Sequence, residues 1–155
     1  MSPLDELATL LRPAGGGLYL VSTGKAEQES LQQRLYGASS PEQVRQRFRD
    51  SLERIATAKG VLVGVPSDVG AGFRRGANLG PPGIRLALLD DGVELASRGV
   101  VDLGDVFVVP QLLSDEMLNP AQLEASRRAV YPDLSDEVRG TLPVSPLSIE
   151  RRVFE

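Results

Sequence analysis

Apolar residues recur along this chain with two different periods, and the switch from one to the other outlines its elements. Leu4, Leu7, Leu10 and Leu11 are spaced as one face of a helix. Gly15-Gly16-Gly17 ends that helix ahead of Leu18-Tyr19-Leu20-Val21, a run short enough to read as a strand. A helix over Lys25 to Tyr36 follows, anchored by Leu31 and Leu35 and closed by Gly37. The next helix has the clearest start: Ser40 as N-cap, Pro41 at the first position and Gln43 completing a capping box, with Val44, Phe48, Leu52 and Ile55 as its buried stripe. Val61 to Val65 then breaks the helical period, a continuous apolar run bounded by Gly60 and Pro66 that predicts a buried strand. A glycine-laden loop leads to Gly80-Pro81-Pro82, where prolines in the first helical turn lose no needed hydrogen bond, and Ile84, Ala87 and Leu88 share a face until Gly92 stops the helix. Gly99 introduces Val100 to Asp105, a second parallel strand that completes a strand-helix-strand crossover and that Val106 to Val109 extend. Beyond Pro110 the pattern weakens. Asn119-Pro120 opens a helix packed by Ala121, Leu123 and Val130, prolines at 132, 143 and 146 interrupt the rest, and Ser148 to Glu155 begins a last helix.

This order divides the chain into an N-terminal helical extension with one strand, residues 1–59, and an α/β domain with a mainly parallel sheet, residues 60–155. A length of 155 residues with 41% hydrophobic residues is enough for a real core. The net charge of −4, from 17 basic and 21 acidic residues, supplies no polycationic face, so neither nucleic acid nor a membrane surface is expected as a partner. Arg45, Arg47, Arg49 and Arg54 lie mostly off the buried stripe of their helix and read as its solvated face. Tyr19, Tyr36, Phe73 and Tyr131 are too scattered for a base-stacking platform. No apolar run reaches membrane-spanning length and no basic-then-apolar leader opens the chain, which makes a cytoplasmic protein the expectation. The chain contains no cysteine and no histidine. Disulfides, thiolate sites, imidazole ligands and every Ser-His or Cys-His pair are thereby excluded.

Candidate chemistry is concentrated between Val61 and Leu89. A strand, long loop and helix place the loop at the carboxyl end of a strand, where open α/β sheets bind ligands. Gly70-Ala71-Gly72-Phe73-Arg74-Arg75 has arginine where a dinucleotide fingerprint needs its third glycine, and no Gly-Lys-Ser/Thr follows for a P-loop. The candidate residues for a substrate or anion are Asp68, Arg74, Arg75, Asn78, Gly80 and Gly83. Asp68 could neutralise a guanidinium or amine, or be a turn aspartate holding backbone N–H groups. Arg74 and Arg75 could clamp a carboxylate, or be one solvated and one paired internally. Asn78 could reach a ligand or relax the loop backbone. Gly80 and Gly83 open the helix whose N–H groups could hold an anion. Asp102 and Asp105 are either a carboxylate pair or a hydrogen-bonded strand terminus.

Four pieces of this region, Gly64-Val65-Pro66-x-Asp68, Arg74-x-Gly76-Ala77, Gly80-Pro81-x-x-Ile84-Arg85 and Val101-Asp102-x-Gly104-Asp105, together resemble the first strand-loop-helix of the ureohydrolases, the arginase and agmatinase family. The loop is closer to agmatinase, and Ser67 departs from the aromatic usual in the family. The resemblance spans about Val61 to Val106. It implies a partial three-layer α/β/α arginase-like domain. In that family two manganese ions bridge a hydroxide that attacks a guanidinium carbon and releases urea. The ligands lie in a Gly-Gly-Asp-His motif, an Asp-Ala-His-x-Asp motif and a later Asp-x-Asp pair, none of which occurs here. The expectation is an N-terminal portion of such an enzyme with no catalytic residue, metal ligand or cofactor of its own, inactive alone: either a truncated product, or a split subunit whose partner is a second chain carrying the metal-binding half. Two alternatives stand beside it: a small anion- or nucleotide-binding module using the Gly80-Pro81 helix start, and a structural homo-oligomer.

Overall fold

The most apolar stretch of the chain, Val100 to Val109, runs through the middle of the molecule. A computed structural model describes all 155 residues. Strand β3 (Val100–Val106) lies between β2 (Gly60–Gly64), which pairs with it in parallel, and β1 (Leu11–Arg12), which pairs antiparallel. The fold is therefore α/β with a small mixed sheet, in which the expected parallel pairing holds for β2 and β3. Seven helices surround the sheet: α1 (Pro3–Leu10), α2 (Lys25–Tyr36), α3 (Pro41–Glu53), α4 (Gly80–Asp90), α5 (Pro120–Val130), α6 (Asp136–Arg139) and α7 (Pro146–Phe154). None is long and apolar enough to cross a membrane.

Three local expectations are corrected. Leu11, spaced as part of the first helix, instead leaves it with extended backbone and pairs with Val106, fully buried. Leu18 to Val21 does not form a strand. Leu18 makes a single bridge to Val108, and Tyr19 and Val21 are exposed because the chain turns away into α2. At α3, Ser40 Oγ accepts the Gln43 N–H at 3.3 Å, but the Gln43 side chain accepts from Ser39 N–H and Oγ, one residue before the N-cap, so the expected capping box is not closed.

The core forms where α1, α3 and α7 meet β3: Leu10, Leu11, Phe48, Leu52, Leu103, Val106, Val144 and Ile149 share one cluster. Val44, Phe48 and Leu52 are buried as their helical spacing demands, and Ile55 is half-buried. Arg47 lies on the exposed face of α3, as its position off the buried stripe demands. Its guanidinium donates to the carbonyls of Tyr36 and Gly37, a cation on the C-terminal carbonyls of α2.

Asp115 secures α7 from outside the helix. Its carboxylate accepts from Val144 N–H, Ser145 N–H at 2.9 Å and the Ser145 hydroxyl, so a charge sits on the positive end of the helix dipole. Asp115→Ala strands those part-buried donors and is expected to cost about 1–3 kcal/mol of stability. Urea denaturation measures this; an unchanged midpoint would contradict it.

Candidate functional site

The strand-loop-helix is held from below by one ion cluster. Arg85 points into the protein, with 4% of its side chain exposed. Its Nε and Nη2 donate to the two Asp102 oxygens at 2.7 and 2.8 Å, a bidentate pair; Nη1 donates to Asp105 Oδ1 at 2.5 Å, and Nη2 also reaches the Gly104 carbonyl at 2.8 Å. Asp105 uses its second oxygen to accept Gly15 N–H at 2.8 Å and Gly17 N–H at 3.4 Å, tying in the N-terminal glycines. All three Arg85 nitrogens donate, in four hydrogen bonds, and two carboxylates balance the buried charge.

Burial disfavours the Arg85 cation, but the hydrogen bonds and charges of Asp102 and Asp105 outweigh it and move its pKa up. Burial pushes the Asp105 carboxyl up, opposed by the Arg85 charge and the N–H groups of Gly15 and Gly17. At Gly64, the last residue of β2, an added Cβ would fall on Asp105 Oδ1 and lie 2.7 Å from Arg85 Nη1. Only glycine lets the strand end approach the cluster this closely.

Asp102 and Asp105 are thus the anchor of Arg85, a hydrogen-bonded pair at the strand end. Nowhere in the chain do three or more carboxylate, imidazole or thiol side chains gather as a metal site would require. Arg85 itself was not among the residues singled out for a site. Helix α4 also turns differently from its apolar spacing: Arg85 is its buried residue, whereas Ile84 is 59% exposed and Ala87 is exposed. Strand β2, expected to be buried, is a sheet edge with Val61 44% exposed.

No family model matches the chain, and neither a curated protein nor a solved structure matches it.

Above the cluster, the loop leaves its two arginines exposed and its Asp68 and Asn78 half-buried. Asp68 is largely covered and approaches Arg75 at 3.9 Å, while Arg75 is 71% exposed. Arg74 is exposed and makes no ion pair or side-chain hydrogen bond. Asn78 sits in a short 3-10 turn, Ala77–Leu79, and lines a cavity of about 300 Å3 with Leu20, Leu31, Pro66 and Pro82. The Gly80 N–H closes that turn by donating to the Ala77 carbonyl. Pro81 and Pro82 have no N–H to offer, which leaves Gly83, exposed on the first turn, as the nearest remaining backbone donor. The structure gathers Asp68 and Arg75, and leaves Arg74, Gly80 and Gly83 on open surface.

Proposed function

We propose that this chain is the N-terminal part of an arginase-like three-layer α/β/α unit of the ureohydrolase type, catalytically silent alone, which offers the loop between β2 and α4 to a manganese site completed by a second chain. One observation carries the reading. Gly64, Arg85, Asp102 and Asp105, drawn from three of the four separate pieces of the resemblance, meet in a single buried cluster. Residues from separate pieces, 17 to 41 positions apart, have a common structural reason to occur together, so the pieces act as one architectural unit, and the loop that carries Asp68, Arg74 and Asn78 is the part of that unit with no structural task of its own.

The partner's chemistry follows from what the chain lacks. Lowering the pKa of a bridging water takes several convergent carboxylates and imidazoles, and this chain has no histidine. Its carboxylates at Asp102 and Asp105 are already committed to Arg85. The reading as an anion module has less support: the α4 start keeps few free N–H groups, because two of its first residues are prolines and Gly80 is already bonded.

Manganese calorimetry on the purified chain, with urea release assayed from agmatine and arginine in the same samples, tests the first half of this proposal. Neither binding heat nor urea is expected. Tight manganese binding or turnover above background would overturn the claim that the chain is silent alone.

A further inference from the structure

The sheet has two edges, and they are closed off to different degrees. On one side β1 contributes two residues, too short to template a further strand. On the other, β2 offers its whole length, Gly60–Gly64, and its only backbone partner is β3. Strand geometry turns the N–H and C=O of every second residue outward from β2, so this edge is a row of unpaired donors and acceptors. It carries none of the devices that blunt a free edge: no charge, no proline and no bulge, since the extra residue in this pairing belongs to β3. Val61 adds an apolar side chain that is 44% exposed, at the end of a row whose other members, Val63 and Val65, pack on the core.

What fits this edge follows from its sequence. Gly60-Val61-Leu62-Val63-Gly64 reads the same in both directions. Two copies placed antiparallel about a two-fold axis at Leu62 therefore set glycine against glycine, Val61 against Val63 and Leu62 against itself. The match holds whichever alternate residues carry the outward groups. The pair on the axis is either hydrogen-bonded or not, and both are regular positions of an antiparallel ladder. Residues opposite each other share a face, so Val61 and Val63 of both copies form one continuous apolar row, and no like charges meet along the strand.

We propose that β2 pairs antiparallel with β2 of a second copy, joining two three-stranded sheets into one of six strands. The contact is isologous and closes at two copies, because each copy has spent its free edge. Five residues a side is well below the roughly 20 to 30 of a standard interface, so the dimer is a weak one, with a Kd of about 0.1 mM. The carboxyl ends of the two β2 strands point in opposite directions, which puts the two loops between β2 and α4 at opposite ends of the joined sheet. The dimer therefore stands or falls independently of the shared manganese site.

Sedimentation equilibrium on the full chain at up to about 1 mM, ten times that Kd, is expected to show a monomer–dimer equilibrium with no larger species. Val61→Lys puts the charge that guards natural sheet edges on a side chain that is already exposed, so it should melt as the wild type does and associate at least about ten-fold more weakly. Disulfide trapping reads the register separately, because the chain has no cysteine of its own. On oxidation Leu62→Cys should cross-link to itself and Val61→Cys to Val63→Cys, since Cα atoms directly opposite in the ladder are about 5 Å apart. Val61→Cys alone should not, because its two copies stand two residues out of register, about 8 Å apart. A wild type that stays monomeric, a dimer that Val61→Lys leaves intact, or efficient self-cross-linking of Val61→Cys, as a slipped or parallel pairing would give, would each overturn the proposal.

Discussion

Arg85→Met is expected to destabilise the fold by about 3–5 kcal/mol at neutral pH, the usual cost of stripping one partner from a buried ion cluster. Methionine roughly preserves the stem that packs between α4 and β3, so the loss is electrostatic: Asp105, with 1% of its side chain exposed, keeps its backbone donors and loses its counter-charge. The sign of the pH dependence separates this from a packing defect. Burial already holds the Asp105 carboxyl above its ordinary 3.8, so the folded chain binds that proton more tightly than the unfolded chain does. The stabilisation linked to that proton is complete below 3.8 and is lost as the pH rises through the raised folded value. Removing Arg85 removes the main force opposing the rise and deepens the loss at neutral pH. The variant should therefore recover part of its deficit on acidification toward about pH 4, and Arg85→Met combined with Asp105→Asn should be less destabilised than Arg85→Met alone. Urea unfolding at a series of pH values measures both, and a deficit independent of pH would contradict the electrostatic account.

The second large effect is expected at Gly104, which bends β3 away from a regular ladder. Its φ is 79°, and an added Cβ would fall on the Arg12 carbonyl of β1. Between Leu62/Asp102 and Gly64/Asp105 the pairing with β2 slips by one residue on the β3 side, and that extra residue turns Asp102 and Asp105 toward the same guanidinium. Gly104→Ala combines left-handed strain with a backbone clash in the middle of the sheet, and a loss of about 3 kcal/mol or more is expected. Thermal unfolding followed by circular dichroism reads it. A shift no larger than that of an exposed alanine substitution elsewhere would contradict the role given to the bulge.

How far the sequence revealed these arrangements depends on the kind of signal each leaves. Ser40-Pro41 and Asn119-Pro120 announce helix starts through local hydrogen bonds, and both helices begin there. The crossover from β2 through α4 to β3 is equally plain, because glycine and proline punctuate it. Strand β1 is not: two residues have no period, and Leu11 has helical spacing from Leu7 although its burial comes from pairing with Val106. The apolar face assigned to α4 also misled, since Ile84 and Ala87 obey the helical period but point away from the core. A signal for Arg85 did exist. Asp102 and Asp105 are the only charges in the run from Val100 to Val109, and Arg85 is the only charge on α4 before Asp90. Buried acids need a cation, and the crossover helix supplies a single one. The loop residues are less legible for a physical reason: Arg74 and Phe73 have no partner within the chain to constrain them, so nothing local in the sequence states their use.

The most direct test of the proposed role is urea release from agmatine in a mixture of this chain with a separate chain carrying the Gly-Gly-Asp-His, Asp-Ala-His-x-Asp and Asp-x-Asp motifs, assayed with manganese. The account predicts urea release from the mixture well above that of either chain alone, and its loss when Arg74 is replaced by alanine while the fold of this chain is unchanged. A mixture no more active than the motif-bearing chain by itself would contradict the claim that the loop between β2 and α4 completes a shared site.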